Sequence, residues 1–149
     1  MTDSAADHRL LRQAIELSWR CPPSDTAFSV GAVLVGADGA VLATGYSRES
    51  DPHDHAEEAA LAKVAGQARP GATSYSSLEP CLRRLSRPRS CCELIVAAGI
   101  TRVVLAWREP PIFVPGGGVA WLEARGVLVT EVPELAAEAR AVNAHLLPG

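Results

Sequence analysis

No stretch of this 149-residue sequence approaches the run of roughly 20 apolar residues that would span a bilayer. Its beginning, MTDSAADHRLL, has neither the basic start nor the apolar run of a secretory leader. These absences predict a cytoplasmic protein with no membrane partner, in a compartment where thiols stay reduced. An excess of positive charge is missing as well: the net charge is −3 and the pI near 5.8, which excludes a bulk electrostatic grip on nucleic acid. Lysine is almost absent, Lys63 being the only one among fourteen basic residues; the other thirteen are arginine, a habit of composition. Repeats and linkers are missing too, so residues 1–149 read as one domain, large enough to bury a core without disulfide staples.

What is present is ordinary globular composition, with 48% hydrophobic and 21% charged residues, which rules against disorder. Residues 4–20 have helical periodicity, with Ser4 as a cap, Asp7 three positions on, and Leu11, Ala14, Ile15 and Ser18 on one face. The tandem prolines of CPPSDT end that helix. SVGAVLVGADGAVLATGY reads as a hairpin about Ala37-Asp38-Gly39, and residues 55–66 as a second helix rich in alanine. A short strand in GATSYSSLEP, a helix in CCELIVAAGI, a strand in TRVVLAW, a helix in GGGVAWLEARG and a strand in VLVTEV follow. A last helix runs from Pro133 to about Leu146. A hairpin followed by alternating strands and helices predicts an α/β protein, a three-layer α/β/α sandwich around a mixed sheet of about five strands.

On this map His55 and Glu57 open one helix, Cys91 opens the next, and Cys81 follows the strand between them. Both helix starts should lie at the edge of the sheet above the carboxyl ends of its strands. Four cysteines in a reducing compartment, two of them adjacent (Cys91 and Cys92), point to packing, metal or catalysis rather than to disulfides. One histidine and two cysteines suit zinc, and three protein ligands leave a fourth position for water, which is the catalytic type of site. Two thiolates cancel the charge of the ion, the imidazole adds none, and such a site lowers the pKa of bound water to about 7. Glu57, not needed as a ligand, is free to move protons. Alone, His55 would be a capping or surface histidine, and Glu57 a solvated one like Glu58; together with the cysteines they favour the metal reading. His53 reads as a solvated loop residue and Cys21 as a packing residue.

HAE followed by PC and a later cysteine resembles the cytidine/deoxycytidylate deaminase superfamily, whose zinc signature has this form. The usual gap between its cysteines is roughly two to four residues, whereas nine separate Cys81 from Cys91. GATSYSSLEPC, the long intercysteine loop and CCELIVAAGITRVV are similar to the deaminase half of the bifunctional riboflavin-biosynthesis deaminase/reductase, over about residues 30 to 130, and the expectation is a deaminase without the reductase domain. The longer loop costs roughly 1.3 kcal/mol of closure entropy, little beside the about 10–16 kcal/mol of structural zinc binding in model peptides. Neighbours on a helix point about 100° apart, so one ion rarely takes both Cys91 and Cys92. Cys91 stands eight residues before Gly99, the spacing the family keeps between its ligand and the glycine that ends its helix.

The resemblance implies a cytidine deaminase-like fold, one catalytic Zn2+ per chain on His55, Cys81 and Cys91, proton transfer by Glu57, and a homodimer or larger homo-oligomer. Ala56 and the Ser77–Cys81 segment, Glu79 included, are expected to line the substrate pocket, with Phe28 as a further contact; Trp107, Glu109 and Phe113, past a strand end on the same edge of the sheet, are candidate walls, Trp107 fitting the core equally well. Arg84 and Arg87, in a loop that also holds Arg83 and Arg89, suit a small anionic substrate. The family's recognition positions differ, however. TAFSVG has Ala27 where that family carries asparagine, Ser47 replaces a histidine, and LRRLSRPRS replaces its usual loop; AFSVGAVLV is closer to cytidine deaminases. The sequence therefore predicts a zinc-dependent hydrolase that removes an exocyclic amino group from a small aromatic N-heterocycle (nucleobase, nucleoside or related aminopyrimidine, aminopurine or aminotriazine). The alternatives are the riboflavin-pathway diaminohydroxyphosphoribosylaminopyrimidine deaminase itself, a nucleic-acid base-editing enzyme, and a non-catalytic zinc-binding module.

Overall fold

A computed structural model describes residues 4–66, 70–84, 87–113 and 116–148. Met1 to Asp3 of the N-terminal segment, and Leu85 and Ser86 of the intercysteine loop, lie outside the described residues. Among those described, no helix is long and apolar enough to cross a membrane.

The chain runs α1 (Ser4–Ser18), β1 (Gly31–Val35), β2 (Val41–Tyr46), α2 (Ala56–Ala62), β3 (Thr73–Ser76), α3 (Cys91–Ala97), β4 (Arg102–Leu105), α4 (Gly118–Glu123), β5 (Leu128–Glu131) and α5 (Ala136–Ala141). The sheet has the five strands predicted, and their order is β2-β1-β3-β4-β5. β1 pairs antiparallel with β2 and β3, while β3, β4 and β5 are parallel, so the sheet is mixed. The hairpin turns where the sequence placed it: Gly39 takes a positive φ of 85°, and the Asp38 carboxylate accepts the Ala40 N–H at 3.1 Å.

Alternation along the strands sends Val33, Val35, Tyr75 and Val104 to one face, against α1 and α5, and Leu34, Val103 and Leu105 to the other, against α2, α3 and α4. Two glycines let the helices seat closely. A Cβ on Gly31 would overlap the Ala14 carbonyl of α1, and one on Gly45 would overlap the backbone of Ala56 and Ala60 in α2.

The structure corrects the sequence reading at four places. Ser4 lies inside α1, and Asp7 does not serve a capping box: its buried carboxylate takes two bonds from Arg102 (3.0 and 2.6 Å) and one from the Tyr75 hydroxyl (2.7 Å). α1 ends at Ser18 rather than residue 20. α2 stops at Ala62, because Ala65 and Gly66 turn the chain through positive φ. The last helix is broken into a 3-10 turn (Pro133–Leu135), α5, and a second 3-10 turn (Ala144–Leu146). Asn143 sits at the second break, its amide committed elsewhere: Ser29 donates its N–H to Oδ1 (2.7 Å), and Nδ2 donates to the Ser29 carbonyl (3.0 Å).

Candidate metal centre and the cavity above it

His55 is the N-cap of α2 in extended conformation (φ −93°, ψ 159°), and its own N–H is held by the Glu58 carboxylate at 3.2 Å. Ser90 caps α3 reciprocally: its hydroxyl accepts the Glu93 N–H (3.2 Å) and its N–H donates to the Glu93 carboxylate (3.1 Å). That cap makes Cys91 the first helical residue. Cys81 lies past the end of β3, in a segment tied to α3 by the Cys92 N–H on the Cys81 carbonyl (3.1 Å). The three donors converge. Cys81 Sγ is 3.4 Å and Cys91 Sγ 3.3 Å from His55 Nδ1, and all three ligand atoms lie within 4.8 Å of one another.

Cys92 is excluded from the triad by direction. Its thiol faces away, 3.4 Å from the Pro80 carbonyl and 3.9 Å from that of Gly118, and burial pushes it well up, so it remains a protonated packing group. Cys81 and Cys91 share protons unequally. The contact with Cys91, against the pull of burial and helped by His55, holds the Cys81 thiol down, while that same contact, burial and Glu57 push Cys91 up. The Cys91 N–H also points at Cys81 Sγ (3.3 Å), a donor suited to thiolate sulfur. One imidazole and two thiols, close enough to share one ion, fit zinc. Glu57 is 3% exposed in the first turn of α2, and burial raises its carboxyl, a contact from Cys91 working the other way.

Above the triad opens a cavity of about 320 Å3 whose lining includes His55, Glu57 and Cys81. Of the residues the sequence assigned to substrate, Phe28, Ala56, Glu79 and Arg84 line it, while Ser77, Trp107 and Arg87 do not. The Ser77 hydroxyl is spent on the Gly31 N–H (3.0 Å), and Trp107 is core, edge-on to Phe28 at 5.9 Å. Phe28 in turn packs against Phe113 at 5.1 Å, and Phe113 lines the cavity. Arg84 and Arg87 are not free cations. Arg84 donates to the His53 carbonyl (2.7 Å) and to Glu58 (3.1 Å), and Arg87 pairs with Asp51, Asp54 and Glu58. Glu58 is therefore no solvated glutamate: it ties the intercysteine loop to the start of α2. His53 is exposed in its loop and also lines the cavity, and half-buried Cys21 packs with its Sγ on the Val30 carbonyl at 3.5 Å.

Two features escaped the sequence reading. Arg48, at positive φ (60°), donates to the carbonyls of Pro22 and Phe28 and to the Ser29 hydroxyl (2.7 Å), fixing the Thr26–Phe28 wall. Nothing in SRES marks that role. Glu79 accepts the N–H groups of Glu109 (2.9 Å) and Val119 (2.8 Å), so it braces the loop before α4 rather than offering its carboxylate to the cavity. Glu109 lines the cavity, its carboxyl pushed up to about 8 by burial and by the charges of Cys81, Glu79 and Glu57.

Comparison with known proteins agrees with this chemistry. The diaminohydroxyphosphoribosylamino-pyrimidine deaminase of Schizosaccharomyces pombe is 43% identical over 123 residues, 80% of this chain and 30% of that protein. The protein of that name from Buchnera aphidicola subsp. Acyrthosiphon pisum is 31% identical over 123 residues, 80% of this chain and 79% of its own length. The chain thus spans under a third of the first relative and most of the second. The crystal structure of Aspergillus oryzae Rib2 deaminase superposes with a TM-score of 0.81 at 27% identity, over 91% of this chain and 89% of that one. That deaminase has also been solved in complex with DARIPP (TM-score 0.79, 24% identity, 95% of this chain and 96% of that one). Residues 4–107 match the cytidine and deoxycytidylate deaminase zinc-binding region, and the triad lies inside that span. With His55, Cys81 and Cys91 converging and the first two lining the cavity, the chain belongs to the cytidine and deoxycytidylate deaminase family of zinc enzymes.

Proposed function

We propose that this deaminase acts on a pyrimidine bearing a phosphoribosylamino group, the diaminohydroxy compound named in its relatives, and exchanges one ring amino group for oxygen with release of ammonia. The observation that carries the reading is the 43% identity, over 123 residues, to a relative named for that reaction. It narrows the broader nucleobase and nucleoside expectation drawn from Ala27 and Ser47. The Ser47 hydroxyl accepts the Val30 N–H at 2.9 Å, so its departure from the family pattern is taken up in holding the wall. Arg83 supports an anionic substrate: it is exposed, lines the cavity, and has no hydrogen-bond or ion-pair partner among the described residues.

Zinc held by His55, Cys81 and Cys91 supplies Lewis acidity, which makes water a nucleophile at neutral pH. Glu57 does the proton work. Its buried carboxylate takes a proton from the attacking water, passes it to the ring nitrogen beside the amine-bearing carbon, and returns protons to the departing nitrogen, so that one C–O bond forms as one C–N bond breaks. Burial raises its affinity for that proton, which suits a group that must both accept and give.

The test is ammonia release by purified, zinc-quantified protein, offered the phosphoribosyl-diaminopyrimidine beside cytosine, adenine and guanine compounds and aminotriazines. Turnover of the first is expected, falling about 10²- to 10⁴-fold in Glu57→Ala with zinc content unchanged. Turnover of a base or nucleoside in its place would restore the broader reading. Undiminished activity in the variant would remove Glu57 from the mechanism.

A further inference from the structure

Most polar side chains lining the cavity are already spent on the protein. Arg48 is bound to carbonyls and Ser29, Arg84 to Glu58 and the His53 carbonyl, and Ser47 to Val30. Asp54 holds the N–H groups of Ser50 and Asp51. Glu79 holds those of Glu109 and Val119. Apart from Glu57, which the proton transfer uses, Glu109 is the exception among the carboxylates: it is half-buried, lines the cavity, and its carboxyl group accepts no hydrogen bond among the described residues. It is not one of the converging metal donors either, since that group is His55, Cys81 and Cys91 alone among the described residues.

Glu109 is also fixed in place. Its N–H is anchored on Glu79, which is 4% exposed, and Glu79 is fastened by its second oxygen to the first turn of α4. Gly118 allows this, because a Cβ there would strike the Pro80 carbonyl and crowd the Cys92 sulfur and the Glu79 side chain. The Glu109 backbone is therefore fastened beside the segment that leads to Cys81, a metal ligand, and its side chain lines the same cavity.

Resting on the function proposed above, the chemistry of the substrate says what would complete this group. A diaminohydroxy-phosphoribosylaminopyrimidine loses one amino group and keeps the other together with the ribosylamino N–H, so the retained edge of the ring offers donors. Reading that edge calls for an acceptor not engaged in proton transfer, and Glu57 is so engaged. We propose that Glu109 is the specificity-determining residue that accepts a hydrogen bond from the retained ring amino group, with Glu79 as its positioning residue. Sites built to bond a substrate N–H discriminate strongly against analogues that lack it, because the site's own polar group is then left unpaired.

The test measures Kd by calorimetry in zinc-loaded Glu57→Ala protein, so that no ligand is consumed. Two ligands are compared: the phosphoribosyl-diaminopyrimidine and its analogue with hydrogen in place of the retained amino group. With Glu109 present, the diamino ligand should bind about tenfold or more tightly than the analogue. Glu109→Ala should erase that preference, weakening the diamino ligand without weakening the analogue and leaving zinc at one per chain. Glu109→Met, which keeps the length of the side chain, should do the same and guards against a loss of packing. A preference that survives both substitutions, or an equal loss for both ligands, overturns the proposal. Ammonia release from the diamino substrate by the unsubstituted protein separates this from failure of the functional reading. If no such release occurs, that reading falls and takes the role of Glu109 with it.

Discussion

The two faces of the sheet bury comparable apolar surfaces but use their polar groups in opposite ways. On the α1/α5 side, the main polar side chains are paired within the protein: Asp7 takes Arg102 and Tyr75, and Asn143 takes both backbone groups of Ser29, while Arg102 Nε and Trp107 Nε1 are buried without a hydrogen-bond partner among the described residues. On the α2/α3/α4 side, His55, Cys81, Cys91, Glu57 and Glu109 are gathered beside a cavity without being consumed by conventional bonds. A buried polar group left open costs stability, so a cluster of titratable groups left open beside one cavity marks where stability has been traded for chemistry. Cuts on the first face should therefore lower stability and leave zinc in place, and cuts on the second should do the reverse.

The largest effect expected falls within one dipeptide of the second face. Cys91→Ala removes a converging ligand, and zinc content and deamination should fall to background. Cys92→Ala removes a sulfur packed against Pro80 and Gly118, and should keep zinc and activity at a cost of about 1 kcal/mol. Metal analysis alongside a denaturant titration of both variants decides it. Zinc lost from Cys92→Ala and kept in Cys91→Ala would invert the assignment and spoil the contrast between open and spent groups.

This difference between the faces also accounts for what the sequence disclosed. His55, Cys81 and Cys91 are unusual enough as residue types that spacing and helix starts located them, and hairpin chemistry and 3.6-residue periodicity located the layers. The cavity wall was less legible because its residues act through partners far off in sequence. Asn143 reaches Ser29 across 114 positions, and Arg48 reaches Pro22 across 26. Arg84 and Arg87 looked like anion ligands because a run of arginines says nothing about the acidic groups at Asp51, Asp54 and Glu58 that fold onto them. Trp107 was left open for a similar reason: a ring past a strand end fits core or cavity equally well, and packing against Phe28 puts it in the core.

A smaller but still large effect is expected on the first face, at Arg102. Its guanidinium is bidentate to Asp7, with Thr130 as a third contact at 3.3 Å, and both partners are mostly buried. Arg102→Met leaves the Asp7 carboxylate buried without its cation, which should cost about 3 kcal/mol while zinc content is unchanged. The pH dependence sharpens the point. Burial alone would raise the Asp7 carboxyl, but bonds from Arg102 and Tyr75 and the charge of Arg102 outweigh it, and Asp7 titrates below its ordinary 3.8. A depressed carboxyl gives stability that is full above the unfolded value and lost as pH falls through the folded one. Unfolding titrations below about pH 4 should then show Asp7→Asn losing less stability with acid than the unsubstituted protein. An equal acid loss in the two would remove Asp7 as the group responsible.

Asn143 gives a smaller expected effect than Arg102 and the hardest test, because it sits on the structural face yet supports a wall of the cavity. Its side chain is 1% exposed and satisfies both the N–H and the carbonyl of Ser29, whose hydroxyl takes Arg48, which in turn holds the Phe28 carbonyl. Asn143→Ala strands two backbone groups; water entering the gap would repair part of that, leaving a cost of about 2 kcal/mol. If the faces are separable, the loss should be seen in the unfolding midpoint, with KM up a few-fold as the Phe28 wall loosens and with kcat and zinc unchanged. Asn143→Asp retains the acceptor for the Ser29 N–H but loses the donor to its carbonyl, so it should fall between the two in stability. A collapse of kcat in Asn143→Ala with zinc retained would mean that the wall participates in the chemistry and not only in holding substrate. The division of labour between the two faces would then have to be redrawn around Phe28.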